Sequence, residues 1–76
     1  MDKEIFSEQL QIERKLVSFE VRENPRGRFL KITEDVGGRR DTVIIPATGL
    51  EQIRDIFERA IKASNRAGPP KVVEPE

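Results

Sequence analysis

Apolar and polar residues alternate through the first half of the chain, and then the period changes. From Glu4 to Ile12, Phe6, Leu10 and Ile12 fall on one side, while Ile5, Ser7, Gln9 and Gln11 fall on the other. Glu8 is a polar residue on the apolar side. A period of two predicts a half-buried strand. Glu13, Arg14 and Lys15 read as a polar turn. Leu16 to Glu23 repeats the alternation more cleanly, with Val17, Phe19 and Val21 set against Ser18, Glu20 and Arg22.

Asn24-Pro25-Arg26-Gly27 reads as a tight turn: Asn suits the first position, Pro presets φ at the second, and Gly suits the fourth. Arg28 to Thr33 predicts a third strand, with Leu30 and Ile32 inward and Phe29, Lys31 and Thr33 outward. Glu34 to Arg40, which contains Gly37-Gly38, reads as a mobile hairpin loop. Asp41 to Ile45 is a short β-branched fourth strand, stopped at Pro46 because proline cannot donate to a ladder.

The helical period begins after that proline. Thr48 followed by Glu51 matches a capping box. Leu50, Ile53, Phe57, Ala60, Ile61 and Ser64 then recur at helical spacing, and Glu51, Arg54, Glu58, Arg59 and Lys62 lie on the wet side. This predicts a helix from Leu50 to Ser64 whose apolar stripe Ile56 widens. Gly68-Pro69-Pro70 forbids its continuation, and Lys71 to Glu76 reads as a disordered tail. The expected architecture is α+β: a ββββα unit over residues 1–65, a four-stranded antiparallel meander with one C-terminal helix across a face, followed by a tail over residues 66–76.

One sheet and one helix leave apolar surface open. Leu16, Ile44 and Ile5 lie opposite the main apolar pattern, and Ile56 adds to the helix. A chain of 76 residues is near the size at which one core gives only marginal stability. It has no cysteine and no histidine, so disulfides and the common zinc sites are excluded as supports. A second copy is the economical cover, and a homodimer is expected.

The same absences remove Cys and His as nucleophile, general base or metal ligand. Glu34-Asp35 has no partner base, and no Walker or dinucleotide glycine pattern is present. No enzyme activity, catalytic residue, cofactor or metal site is expected. Apolar runs are too short for a membrane span, and Met1-Asp2-Lys3-Glu4 leads into no signal-peptide core; the expectation is a cytoplasmic protein without membrane contact.

Formal net charge is zero and the pI is about 6.3, yet charge is unevenly spread. Between Arg22 and Arg40 the cations are Arg22, Arg26, Arg28, Lys31, Arg39 and Arg40, against the anions Glu23, Glu34 and Asp35. A neutral chain can therefore hold a basic strip. Phe29 lies within it, on the same strand side as Lys31, and an aromatic flanked by cations is what base stacking requires.

Arg22-Glu23-Asn24-Pro25-Arg26-Gly27-Arg28-Phe29-Leu30-Lys31-Ile32 resembles the strand–turn–strand signature of the PUR repeat, the unit of the Pur-alpha family. Ile44-Ile45-Pro46-Ala47-Thr48-Gly49-Leu50, followed by Ile53-Arg54-Asp55, resembles that repeat's fourth strand and helix start. The resemblance spans Glu4 to Ala63, and two matches in the correct order make it specific. It implies a ββββα repeat that intertwines with a second copy into a Whirly-like domain, as in the single-repeat bacterial members. It also implies binding of purine-rich single-stranded DNA or RNA and a role in transcription regulation. Carried onto this sequence, the family's contacts around the second turn are Arg22, Asn24, Arg26 and Phe29; Arg28 and Lys31 join them as neighbouring cations. Pro25 stands where the family commonly has a polar or small residue.

Plainer readings stay open at each position. Asn24 serves any hairpin as a turn residue. Arg22, Arg26, Arg28 and Lys31 suit a solvated face, and Phe29 suits burial under a partner copy. The alternative function is a dimerisation or protein-interaction module of the same fold without nucleic-acid binding.

Overall fold

The structure is a computed structural model that describes residues 2–72. Four strands form one antiparallel sheet in the order β1-β2-β3-β4. These are β1 (Lys3–Ile12), β2 (Lys15–Asn24), β3 (Gly27–Val36) and β4 (Arg39–Pro46). A 3₁₀ turn over Ala47–Gly49 leads into α1 (Leu50–Arg66). The predicted ββββα order is the observed one.

Three short turns set the register. Glu13 begins the first, with a φ of 54°, a left-handed conformation that costs a non-glycine residue some strain. In the second, Pro25 has no N–H, so Asn24 Oδ1 accepts from the next two amides, Arg26 at 2.9 Å and Gly27 at 3.2 Å. The third differs from its prediction. β3 continues to Val36 and β4 starts at Arg39, so the expected Glu34–Arg40 loop contracts to Gly37-Gly38. Both glycines have positive φ, 60° and 90°, which fits a primed two-residue hairpin turn and its match to strand twist. The acidic residues assigned to the loop pair across the ladder instead: Glu34 faces Asp41 and Asp35 faces Arg40. β1 carries one irregularity, an extra residue at Ile5 between the Glu4–Arg22 and Phe6–Val21 pairs.

This register sorts the side chains onto two faces. Phe6, Leu10 and Ile12 of β1 share a face with Val17, Phe19 and Val21 of β2, Leu30 and Ile32 of β3, and Val43 and Ile45 of β4. The other face is mostly polar. Its apolar members are Leu16, Phe29, Ile44 and Pro46.

Two features of the helix depart from expectation. Thr48 lies inside the 3₁₀ turn and makes no capping bond; Gly49 is the cap of α1, with no side-chain hydrogen bond there. The chain turns immediately after Pro46, so Thr48 is already in helical geometry and its hydroxyl is not at the free amides. At the other end, Gly68 adopts a φ of 100° and its N–H bonds Asn65 O. This is half of a glycine-terminated cap, and Pro69 has no N–H to complete it. The helix extends to Arg66, past the boundary at residue 65; part of the expected tail, residues 73–76, lies outside the described residues.

The larger departure is where α1 sits. It neighbours the 3₁₀ turn and has no comparable packing on the sheet, so it does not lie across a face of its own sheet. Phe57 and Ile61 remain 58% and 59% exposed, and no described residue is buried. The accessible surface is 6538 Å², whereas a folded monomer of 8.7 kDa should expose about 4,700 Å². The radius of gyration, 14.7 Å, likewise exceeds the ~11 Å of a compact domain of this length. The described residues of a single chain have secondary structure and a register but no enclosed core.

Candidate nucleic-acid interface

The polar face is organised in rows that cross the sheet. Glu4, Arg22, Phe29 and Pro46 make one row, nearest the β2–β3 turn. Ser7, Glu20, Lys31 and Ile44 make the next, and Gln9, Ser18, Thr33 and Thr42 the third. Arg22, Asn24, Phe29 and Lys31 therefore share this face, and Arg26 stands in the turn beside it. Asn24, Arg26, Gly27, Arg28, Phe29, Ile44 and Pro46 line one open hollow at the β2–β3 turn. Phe29 is partly buried there, flanked across the strands by Arg22 and Pro46.

Arg28 borders the same hollow but has an acidic partner. Strand parity puts it with Leu30 and Ile32, opposite Glu23, and its Nη2 bonds the Glu23 carboxylate at 2.9 Å.

The cations differ in how free they are. Arg22 is ringed by acids: Glu20 at 2.8 Å, and Glu4 and Asp2 at 3.5 Å each. The Glu20 hydrogen bond, aided by the charges of Glu20 and Asp2 and opposed by desolvation, pushes the Arg22 pKa up. Arg40 is paired with Asp35 at 3.2 Å. Arg26, Lys31 and Arg39 make no ion pair among the described residues. Of the basic strip, Arg26 and Lys31 are the free charges closest to Phe29.

Asn24 has a structural task as well. Its Oδ1 holds the turn, and its Nδ2 donates to Asp2 Oδ1 at 3.4 Å. The second Nδ2 hydrogen has no protein partner among the described residues. The acid ring itself went unread in the sequence. Glu20 was detectable, two residues before Arg22 on the same strand face; Glu4 and Asp2 depend on cross-strand register, which local alternation does not fix.

Among the described residues no cluster of acids could hold a metal ion, and no helix is long and apolar enough to cross a membrane. What the polar face offers is an aromatic ring, unpaired cations and a floor of hydrogen-bonding groups.

Comparison with known proteins gives this arrangement its relatives. Residues 2–68 match the family described as PurA ssDNA and RNA-binding protein. The chain belongs to the PurA family. Over 56 residues it is 46% identical to Transcription factor Pur-alpha 1 of Arabidopsis thaliana, covering 74% of this chain and 19% of that protein. The chain thus spans about a fifth of that relative's length. The matched segment takes in all four strands and the whole of α1, so fold and polar face fall within it.

Proposed function

We propose that two copies of this chain form a Whirly-like PUR dimer that binds single-stranded DNA or RNA, prefers purine-rich strands, and acts as a cytoplasmic regulator. One observation carries the binding part: Phe29 lies on the polar face between the unpaired cations Arg26 and Lys31, within a PurA-family chain. An unstacked base can lie on the ring while the cations take flanking phosphates, a combination that serves single strands without demanding one sequence.

The dimer part rests on the missing core. The excess over a compact monomer is about 1,800 Å², more than the ~800 Å² each partner gives to a standard interface. The apolar sheet face and the Phe57–Ile61 stripe supply the complementary surfaces, the helix of one copy covering the sheet of the other. Exchange of this kind closes with two-fold symmetry.

A second reading, a dimerisation or protein-interaction module without nucleic-acid binding, is favoured by the acids around Arg22 and by zero net charge. Titration of a labelled purine-rich single strand at low and moderate salt separates the two. The first reading expects binding that weakens as salt rises, with a slope of about −0.7 in log affinity per phosphate neutralised. No binding at low salt selects the second.

A further inference from the structure

The two edges of the sheet are not alike. β4 carries Arg39, Arg40 and Asp41 at its start and ends on Pro46, which has no N–H to offer a further strand. β1 is the longer edge and contains no proline. Past the irregularity at Ile5 it pairs with β2 without interruption from Phe6 to Ile12. Its outer N–H and C=O groups lie in the plane of the sheet. A helix laid on the apolar face would cover side chains and leave that edge unpaired.

The regular stretch, Phe6-Ser7-Glu8-Gln9-Leu10-Gln11-Ile12, holds one charge, that of Glu8. The residue stands on the apolar face, between Phe6 and Leu10 and opposite Phe19. It makes no ion pair among the described residues. Its apolar neighbours on the strand are open, Phe6 at 47% and Leu10 at 51% exposure.

Glu8 is also the centre of a near-palindrome, with polar Ser7 and Gln9 next to it and apolar Phe6 and Leu10 beyond. In antiparallel pairing of two β1 strands about this centre, Phe6 meets Leu10, Ser7 meets Gln9, and Glu8 meets Glu8. Directly opposite side chains lie about 5 Å apart, where like charges repel. A shift of one residue sets the apolar face of one copy against the polar face of the other. A shift of two sets the carboxylate against Phe6 or Leu10. The register that matches best is therefore the one that Glu8 opposes. An acid turned inward on an edge strand is one way in which a sheet is kept from pairing with its own copies.

We infer that β1 is an assembly edge complementary to β1 of a second copy, and that Glu8, on the two-fold axis of that pairing, keeps it from forming. The contact lies at the rim of the sheet, so it adds to a dimer made through the apolar face instead of replacing it. Each such dimer has two β1 edges, and their pairing would run on into four-chain and longer species.

Sedimentation of the full chain at micromolar concentration tests this with wild type, Glu8→Gln and Glu8→Lys. Whatever the size of the wild-type species, Glu8→Gln should at least double it, because the repulsion goes and the shape stays. Glu8→Lys should match wild type, since two ammonium groups repel as two carboxylates do. The chain has no cysteine, so Glu8→Cys puts a single thiol on the axis and should cross-link to its own copy under a mild oxidant. Gln11→Cys in the Glu8→Gln background should not, because the register sets position 11 against Ile5. The edge is overturned if Glu8→Gln keeps the wild-type size, or if Glu8→Lys grows as Glu8→Gln does. Cross-linking through position 11 and not position 8 would also overturn it, as the copies would then meet in another register. So would a Glu8→Lys species smaller than wild type, because Glu8 would then be holding a cation of the partner copy.

Discussion

The two faces of this sheet come from the same four strands, yet they leave different things undone. The apolar face gathers side chains from every strand, and α1 of the same chain makes no comparable packing on it. The polar face is internally furnished: Glu20 with Arg22, Gln9 with Ser18, Asp35 with Arg40. Near the half-buried Phe29, Arg26 and Lys31 make no ion pair among the described residues. An uncovered apolar face costs stability at every methyl left in water, about 25 cal/mol per Å². An open aromatic among cations costs little until a ligand arrives. In the proposed dimer the first face serves folding and assembly, and the second serves recognition.

Substitutions that weaken one face should leave the other intact. The largest effect is expected at Phe19, in the middle of the apolar face between Glu8 and Ile32 on its neighbouring strands. Phe19→Ala should cost about 3–5 kcal/mol of dimer stability. Phe57→Ala, on the helix stripe that would cover it, should act alike. Thermal melts at several protein concentrations check both, because the midpoint of an obligate dimer rises with concentration. A mutant as stable as wild type would remove that face from the interface.

Phe29→Ala belongs to the second face and should behave differently. Loss of a stacked base costs about 1–3 kcal/mol of binding per site, with the dimer and its melting point preserved. Anisotropy titration and a melt on the same sample separate the two faces directly. A monomeric Phe29→Ala protein would mean that the ring is an interface anchor.

A smaller effect is expected at the turn. Arg26→Ala should weaken binding to all strands similarly and flatten the salt slope by about 0.7, as loss of one phosphate contact does. Arg28→Ala, on the apolar side and paired with Glu23, should change neither affinity nor slope and should shift stability by no more than about 0.5 kcal/mol. A flattened slope in Arg28→Ala would bring that cation round to the polar face.

The alternation of Val17, Phe19 and Val21 against Ser18, Glu20 and Arg22 was enough to read β2, because both faces are spelled out in one strand. Phe29 and Lys31 could be set on one side by the same parity, and that parity also separates Arg28 from them. The β3–β4 turn was harder. Glu34 and Asp35 look like loop residues by composition, and only the ladder partners Asp41 and Arg40 make them strand. Thr48 and Glu51 have capping-box spacing, but Pro46 brings the helical turn forward and moves the cap to Gly49. The placement of α1 was beyond a local reading. An apolar stripe says that a helix is covered without saying by which copy. The acids around Arg22 were hidden for a related reason, since Asp2 and Glu4 reach it only across the β1–β2 register.

In the proposed dimer, assembly and strand binding use opposite faces, so that neither excludes the other. Sedimentation of the wild-type chain at micromolar concentration, with and without a short labelled purine-rich single strand, tests it most directly. A two-chain species is expected in both samples, with the strand sedimenting on that species. A stable single-chain species without the strand, or a strand that binds only as the two-chain species dissociates, would contradict it.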